Sequence, residues 1–281
     1  MLMTDGRNFQ CIRIRNCFDV VTLGCYNLVM KTIRAFWLCE LIVVVFLSLS
    51  VFGAETTKDS PDKLRVLVVT GGHDFEHEAF FKLFSDNPDI SFRAVEHPNA
   101  DALLRPESAK NYDVLVVYDM HQEISEEAKG DLLAWLNHGK AFVVLHHAIA
   151  SYQQWPEYSK IIGAHYYLEK TTVDGVEKAR STYQHGLHFK IHVVEPNHPV
   201  TRGVSDFEIH DETYNLFDVA KDVQTLLTTD ESQSNKVIGW AKTYGPARVV
   251  YLQSGHDHFA YENPSYQQIL RQAIRWAARR D

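Results

Sequence analysis

From residue 64 onward the chain alternates short apolar runs with amphipathic stretches. Residues 64–70 (LRVLVVT), 114–118 (VLVVY) and 141–145 (AFVVL) are continuous, valine-rich runs. Runs without polar alternation read as strands buried on both faces, as in parallel sheets. Residues 91–96 give a weaker strand. A helix is expected from near Phe75 to about Ser85, burying Phe80, Phe81 and Phe84. A second is expected over 125–138. Ser125 is its N-cap, Glu126 and Glu127 sit at the positive end of its dipole, and Gly139 ends it. Its inward face is Ala128, Leu132, Leu133 and Leu136.

The later half is less regular. Strands are expected over 189–194, 207–209, 223–229, 236–241 and 248–253. Asn263-Pro264 opens a terminal helix that buries Tyr266, Ile269, Leu270, Ala273, Ile274 and Ala277. The stretch 151–186 is aromatic and patternless, the kind of segment that often carries a binding surface. Strands alternating with helices predict an α/β fold, a mostly parallel sheet covered on both faces.

The first fifth of the chain differs. It holds all four cysteines (Cys11, Cys17, Cys25, Cys39), whereas the fifteen histidines lie between His73 and His258. Lys31 and Arg34 precede the apolar run 41–50, and the stretch 51–54 that follows ends in the small residues Gly53 and Ala54. This reads as a signal peptide over 30–53 that begins at Met30 and is cut after Gly53 or Ala54. Residues 1–29 then read as an over-extended start, 54–63 as a polar linker and 64–281 as the domain. The alternative is a retained membrane anchor over 35–54, which Glu40 disfavours. Residues 1–53 hold five of the 28 Lys+Arg and three of the 36 Asp+Glu, so the remainder carries a net charge of −10. That balance excludes nucleic acid and, after signal cleavage, anionic membranes as partners. The expected site of action is the periplasm or the outside of the cell.

Ligands of open α/β sheets bind outside the carboxyl ends of the strands. His73 and His77 follow the first strand, Asp119 and His121 the third, His146 and His147 the fourth, and His256-Asp257-His258 the last. One such histidine alone is more often a solvated loop residue; four strand ends together point to a shared site. Gly71-Gly72-His73 lacks the third glycine of a dinucleotide fingerprint, and no Walker lysine follows. Its glycines suggest either a turn that a ligand approaches or a plain turn. His146-His147 falls at a strand-to-helix elbow, where imidazole serves as acid, base or metal ligand rather than nucleophile. His210-Asp211-Glu212 with Tyr214 adds a carboxylate cluster, and Glu212 is the candidate general acid/base. No cofactor is specified. Histidine plus carboxylate suits zinc or another divalent ion, although no compact H-E-x-x-H spacing occurs. Trp155, Tyr158, Tyr166 and Tyr167 offer stacking faces for a sugar.

The segments TGGHDFEHEAFF (70–81), VVYDM (116–120), VVLHHA (143–148), WPEY (155–158), IIGAHY (161–166), HPVTRG (198–203), HDETYN (210–215) and GHDHFAYENPSY (255–266) occur in this order. Together they resemble the ThuA-like, or trehalose-utilisation, family across 64–281. The resemblance implies a class I glutamine amidotransferase-like fold, a flavodoxin-like three-layer sandwich. Where amidotransferases carry the nucleophilic cysteine, this chain has His146, and with no cysteine beyond residue 39 that chemistry is excluded. Similar proteins are associated with disaccharide breakdown beside oxidoreductases that make 3-keto sugars. They are often exported, and some are associated with zinc. The family usually has serine or another small residue where this chain has His147.

The expectation is therefore a small-molecule sugar or glycoside as partner, processed by lyase, hydrolase or isomerase chemistry. His146, Glu212 and His256 are the expected catalytic groups. His73, His77, Asp119, His147, Trp155, His210 and Asp257 are the expected binding groups. The alternative is a non-catalytic carbohydrate-binding protein.

Overall fold

A computed structural model describes residues 63–281; the expected signal peptide, the residues before it and nearly all of the linker lie outside the described residues. Four strands open the domain: β1 (Leu64–Gly71), β2 (Ile90–Glu96), β3 (Val114–Asp119) and β4 (Ala141–Leu145). Short elements follow: β5 (Ala164–His165), β6 (Thr171–Val173) and β7 (Val176–Lys178). Then come β8 (Thr182–Val193), β9 (Phe207–Asn215), β10 (Asp218–Val219), β11 (Gln224–Thr229), β12 (Val237–Tyr244) and β13 (Ala247–Leu252).

Nine of these make one sheet in the order β2-β1-β3-β4-β13-β12-β11-β8-β9. The first five run parallel, in the flavodoxin-like order. The other four extend the sheet with antiparallel pairings. The fold class read from the sequence holds, and the irregular later half of the pattern corresponds to this antiparallel extension.

Helices cover both faces, and the valine runs show why. Successive strand residues point to opposite sides. Val66, Val68, Val114, Val116, Val143 and Val250 pack in one core, with residues of α1 (His77–Ser85) and α7 (Pro264–Ala277). Leu67, Val69, Leu115, Val117, Val144 and Val249 pack in the other, with residues of α4 (Glu126–Asn137) and α5 (Pro156–Ile162). Three short helices complete the set: α2 (Asp101–Leu104), α3 (Pro106–Ala109) and α6 (His258–Tyr261).

The helix readings shift in detail. The inward face of α4 uses Trp135 where Leu133 is expected, because the indole also donates to the Ala141 carbonyl. α1 buries Leu83 rather than Phe81 and starts at His77, two residues later than expected. Ser125 does cap α4, its hydroxyl accepting from the Ala128 amide at 3.1 Å. Ser125→Ala is expected to cost about 1 kcal/mol, the usual worth of such a cap, read from denaturant unfolding.

Candidate functional site

The site starts at the end of β4. The chain leaves the strand in a tight 3₁₀ turn, His146–Ala150, and His146 adopts φ +50°, a left-handed conformation that is unfavourable for a residue with a Cβ. Its imidazole is 1% exposed. Nδ1 lies 2.6 Å from the Gln253 carbonyl, which can only accept, so Nδ1 carries the proton. Nε2 is then the bare nitrogen, and the Tyr214 hydroxyl donates to it at 2.8 Å. Around this nitrogen stand His256 Nδ1 at 3.3 Å and Glu212 Oε1 at 3.5 Å. Glu212 Oε2 is 3.6 Å from His256 Nδ1 and 2.5 Å from His185 Nδ1.

Each group is placed by its own element. Glu212 and Tyr214 are alternate residues of β9, so both turn to the cleft. Asp211, the residue before Glu212, accepts from the Gly255 and His256 amides at 2.9 and 3.0 Å and so anchors the turn that presents His256. His185 sits in a bulge where the β8–β9 register slips between Gln184 and Leu187, with Gly186 at φ +67°. Bulges next to sites commonly re-aim a side chain in this way.

The cleft has a volume of about 290 Å³. Glu212, Tyr214, His185 and His147 form part of its wall, as do Tyr166, Tyr183 and Arg180. His146 lies just behind Glu212 and Tyr214. Burial shapes the charges. It pushes the carboxyls of both Glu212 and Asp211 up to about 7. It holds His146 and His147 well below the usual imidazole range, helped by the neighbouring histidines. His256 is lowered too, by burial first and then by His185. The result is a neutral-leaning cluster with an acid and a base side by side.

The structure brings together His73, His146, His147, Glu212 and His256: the His146 and His256 rings are 5.4 Å apart, and those of His73 and His147 4.6 Å. Five expected binding residues stand elsewhere. His77 is exposed at the start of α1, stacked on Phe75 at 4.0 Å, because the helix begins after His73 rather than at it. Asp119 is fully buried and accepts from Ser151 and Tyr152, with His97 at 3.0 Å, so its carboxylate is consumed within the fold. Trp155 packs against Tyr152 and Tyr158 in the second core. His210 stacks on His188 at 4.1 Å and on Phe259 at 4.4 Å. Asp257 caps α6 by accepting from the Phe259 amide. His210, Asp211 and Glu212 lie inside β9 rather than after a short strand. Of the expected stacking aromatics only Tyr166 lines the cleft.

His146, His256 and Glu212 each offer one donor atom within 4.8 Å of the others. The two histidine nitrogens are 3.3 Å apart, near the edge length of a tetrahedron around an ion bound at about 2.0–2.2 Å, and one Glu212 oxygen lies 3.5 Å from His146 and the other 3.6 Å from His256. The Gln253 carbonyl also orients His146 as backbone carbonyls orient metal-bound histidines. The residues fit a divalent ion.

A parallel sheet in the 2-1-3-4-13 order, helices on both faces and a strained elbow after its fourth strand define the glutamine amidotransferase-like class of sandwiches, here with histidine at the elbow. Residues 65–277 match the family described as ThuA, trehalose utilisation, and the chain belongs to that family. Two solved ThuA-like proteins share the fold. The one from Parabacteroides merdae is 18% identical with a TM-score of 0.65, over 77% of this chain and 90% of that one. The one from Bacteroides uniformis is 18% identical with a TM-score of 0.60, over 78% and 93%. A β-galactosidase from Bacillus circulans shares it at 11% identity and a TM-score of 0.52, over 78% of this chain but 31% of the enzyme. No curated protein matches the sequence.

Proposed function

We propose that the protein is an exported enzyme that processes a keto-disaccharide or related glycoside in this cleft by carboxylate–histidine acid–base chemistry. The observation that carries the reading is Glu212, which faces the cleft while touching His185 on one side and the bare nitrogen of the His146 cluster on the other. A keto group acidifies the neighbouring C–H. Removal of that proton and protonation of the departing glycosidic oxygen together break the C–O bond. Glu212 is the group that reaches the substrate, and His185 is placed to exchange its proton. His146, behind it, is a positioning residue: it orients Tyr214 and Glu212 and does not itself line the cleft. A divalent ion held by His146, His256 and Glu212 would supply Lewis acidity toward a substrate oxygen.

Glu212→Gln tests this with little change of shape. Turnover of a 3-keto-disaccharide is expected to fall by about 10²–10⁴, the range for loss of an acid/base group. Stability is expected to hold or rise, because burial disfavours the charge that the variant removes. An unchanged rate would sink the assignment.

A further inference from the structure

His147 is a buried polar side chain with no hydrogen-bond partner. It is 4% exposed, and neither Nδ1 nor Nε2 has a partner. The ring packs at 4.2 Å against Tyr118 and forms part of the cleft wall. A neutral imidazole has one donor and one acceptor. Leaving both unmade in the interior is unfavourable, and an apolar side chain of similar size would avoid the cost. A native histidine kept in this condition calls for a partner that arrives from outside.

What covers it is movable. His73 lies edge-on over His147, with ring centroids 4.6 Å apart. His73 is itself exposed, its ring nitrogen bonded to the carbonyl of its neighbour Asp74, so its side chain can swing away without moving the backbone. Tyr166, Tyr183 and Arg180 line the same cleft, so a ligand lodged there meets aromatic faces and hydrogen-bonding groups together.

From this we infer that His147 is a hydroxyl-recognition residue: His73 shifts aside, and hydroxyl groups of a polyol ligand pair with the two free ring nitrogens. The inference rests on the carbohydrate reading of the cleft and adds which side chain reads the hydroxyls. Hydroxyls match because each both donates and accepts, whereas a carboxylate or phosphate would leave the bare nitrogen unpaired.

The test uses the full chain, trehalose and its 3-keto derivative as probes, and three proteins: wild type, His147→Leu and His147→Asn. Leucine removes both polar atoms; asparagine keeps a donor and an acceptor. His147→Leu is expected to melt at or above the wild-type temperature yet bind the sugar at least about tenfold more weakly, the worth of one lost hydrogen bond or more. His147→Asn is expected to recover part of the affinity. A clear fall in melting temperature for His147→Leu would show that the nitrogens are already paired within the protein, and would overturn the inference. So would unchanged affinity in that variant, which leaves the carbohydrate reading standing. Failure of wild type to bind either sugar overturns that reading and the inference with it.

Discussion

His146→Ala is expected to lower turnover by about 10–100-fold or more and to lower stability at once. The two losses have separate causes. Truncation strands the buried Gln253 carbonyl and takes from the Tyr214 hydroxyl one of its two partners, leaving it Glu212. An orphaned buried polar group costs about 1–3 kcal/mol, and a fall of that size is expected in denaturant unfolding. A position on a turn at a strand end suggests a milder cost, but the 1% exposure of the ring overrides it. The rate falls for another reason: Tyr214 and Glu212 lose the nitrogen that orients them. Loss of such a supporting partner typically costs about 10–100-fold in activity or metal affinity, and loss of a metal ligand costs more.

His146→Asn separates the effects. Asparagine tolerates the left-handed conformation, and its amide N–H can still donate to Gln253. It should therefore keep much of the stability while losing activity. Zinc content, measured by mass spectrometry on the same samples, adds a readout that a purely structural role would not move. Full activity and unchanged metal content in the asparagine variant would remove His146 from the site.

The parallel half of the sheet was legible because its strands are buried on both faces and so carry unbroken valine runs. Topology then made the strand ends a usable clue, and three of the four do meet, through His73, His146, His147 and His256. The same rule misplaced Asp119 and His77. It locates a backbone, not the direction of a side chain: Asp119 turns into Ser151 and Tyr152, and His77 turns along α1 toward solvent. His185 was not legible for the opposite reason. It owes its position to a bulge, and a bulge breaks the period-two alternation that reveals a strand. The bulge glycine, Gly186, was the one local signal. Glu212 was picked out by its company of His210, Asp211 and Tyr214. Its true setting inside an edge strand appears only when β8 and β9 pair, over residues far apart from the parallel core.

Gly72→Ala is expected to be among the most destabilising single-methyl substitutions in the domain, and to weaken the cleft as well. Gly72 has φ +79°, and a Cβ there would lie 2.6 Å from the Met120 carbonyl carbon and 2.7 Å from its oxygen. The obstacle is backbone one residue past the end of β3. The Met120 amide bonds to the Gly71 carbonyl at 2.8 Å, and Gly71 is in register with Asp119, so neither chain can retreat without breaking the β1–β3 ladder. The glycine is thus required by the protein's own close approach, which decides between the two readings of that turn. Adding a methyl to a tight site costs about 1–3 kcal/mol, and alanine at positive φ adds roughly 1 more. For a domain of this size the sum lowers the melting temperature by roughly 5–15 °C. Gly175→Ala is the control, because Gly175 has the same φ of +79° with nothing within 4 Å of its Cβ position. It should show the conformational cost alone, so the difference between the two variants isolates the clash with Met120. Met120 and His73 both line the cleft, on either side of the crowded contact. Forcing them apart should therefore weaken sugar binding in Gly72→Ala and leave it unchanged in Gly175→Ala. Equal melting temperatures for the two variants would show that the β1–β3 contact yields easily, and would refute the tight turn as the device that fixes this wall of the site.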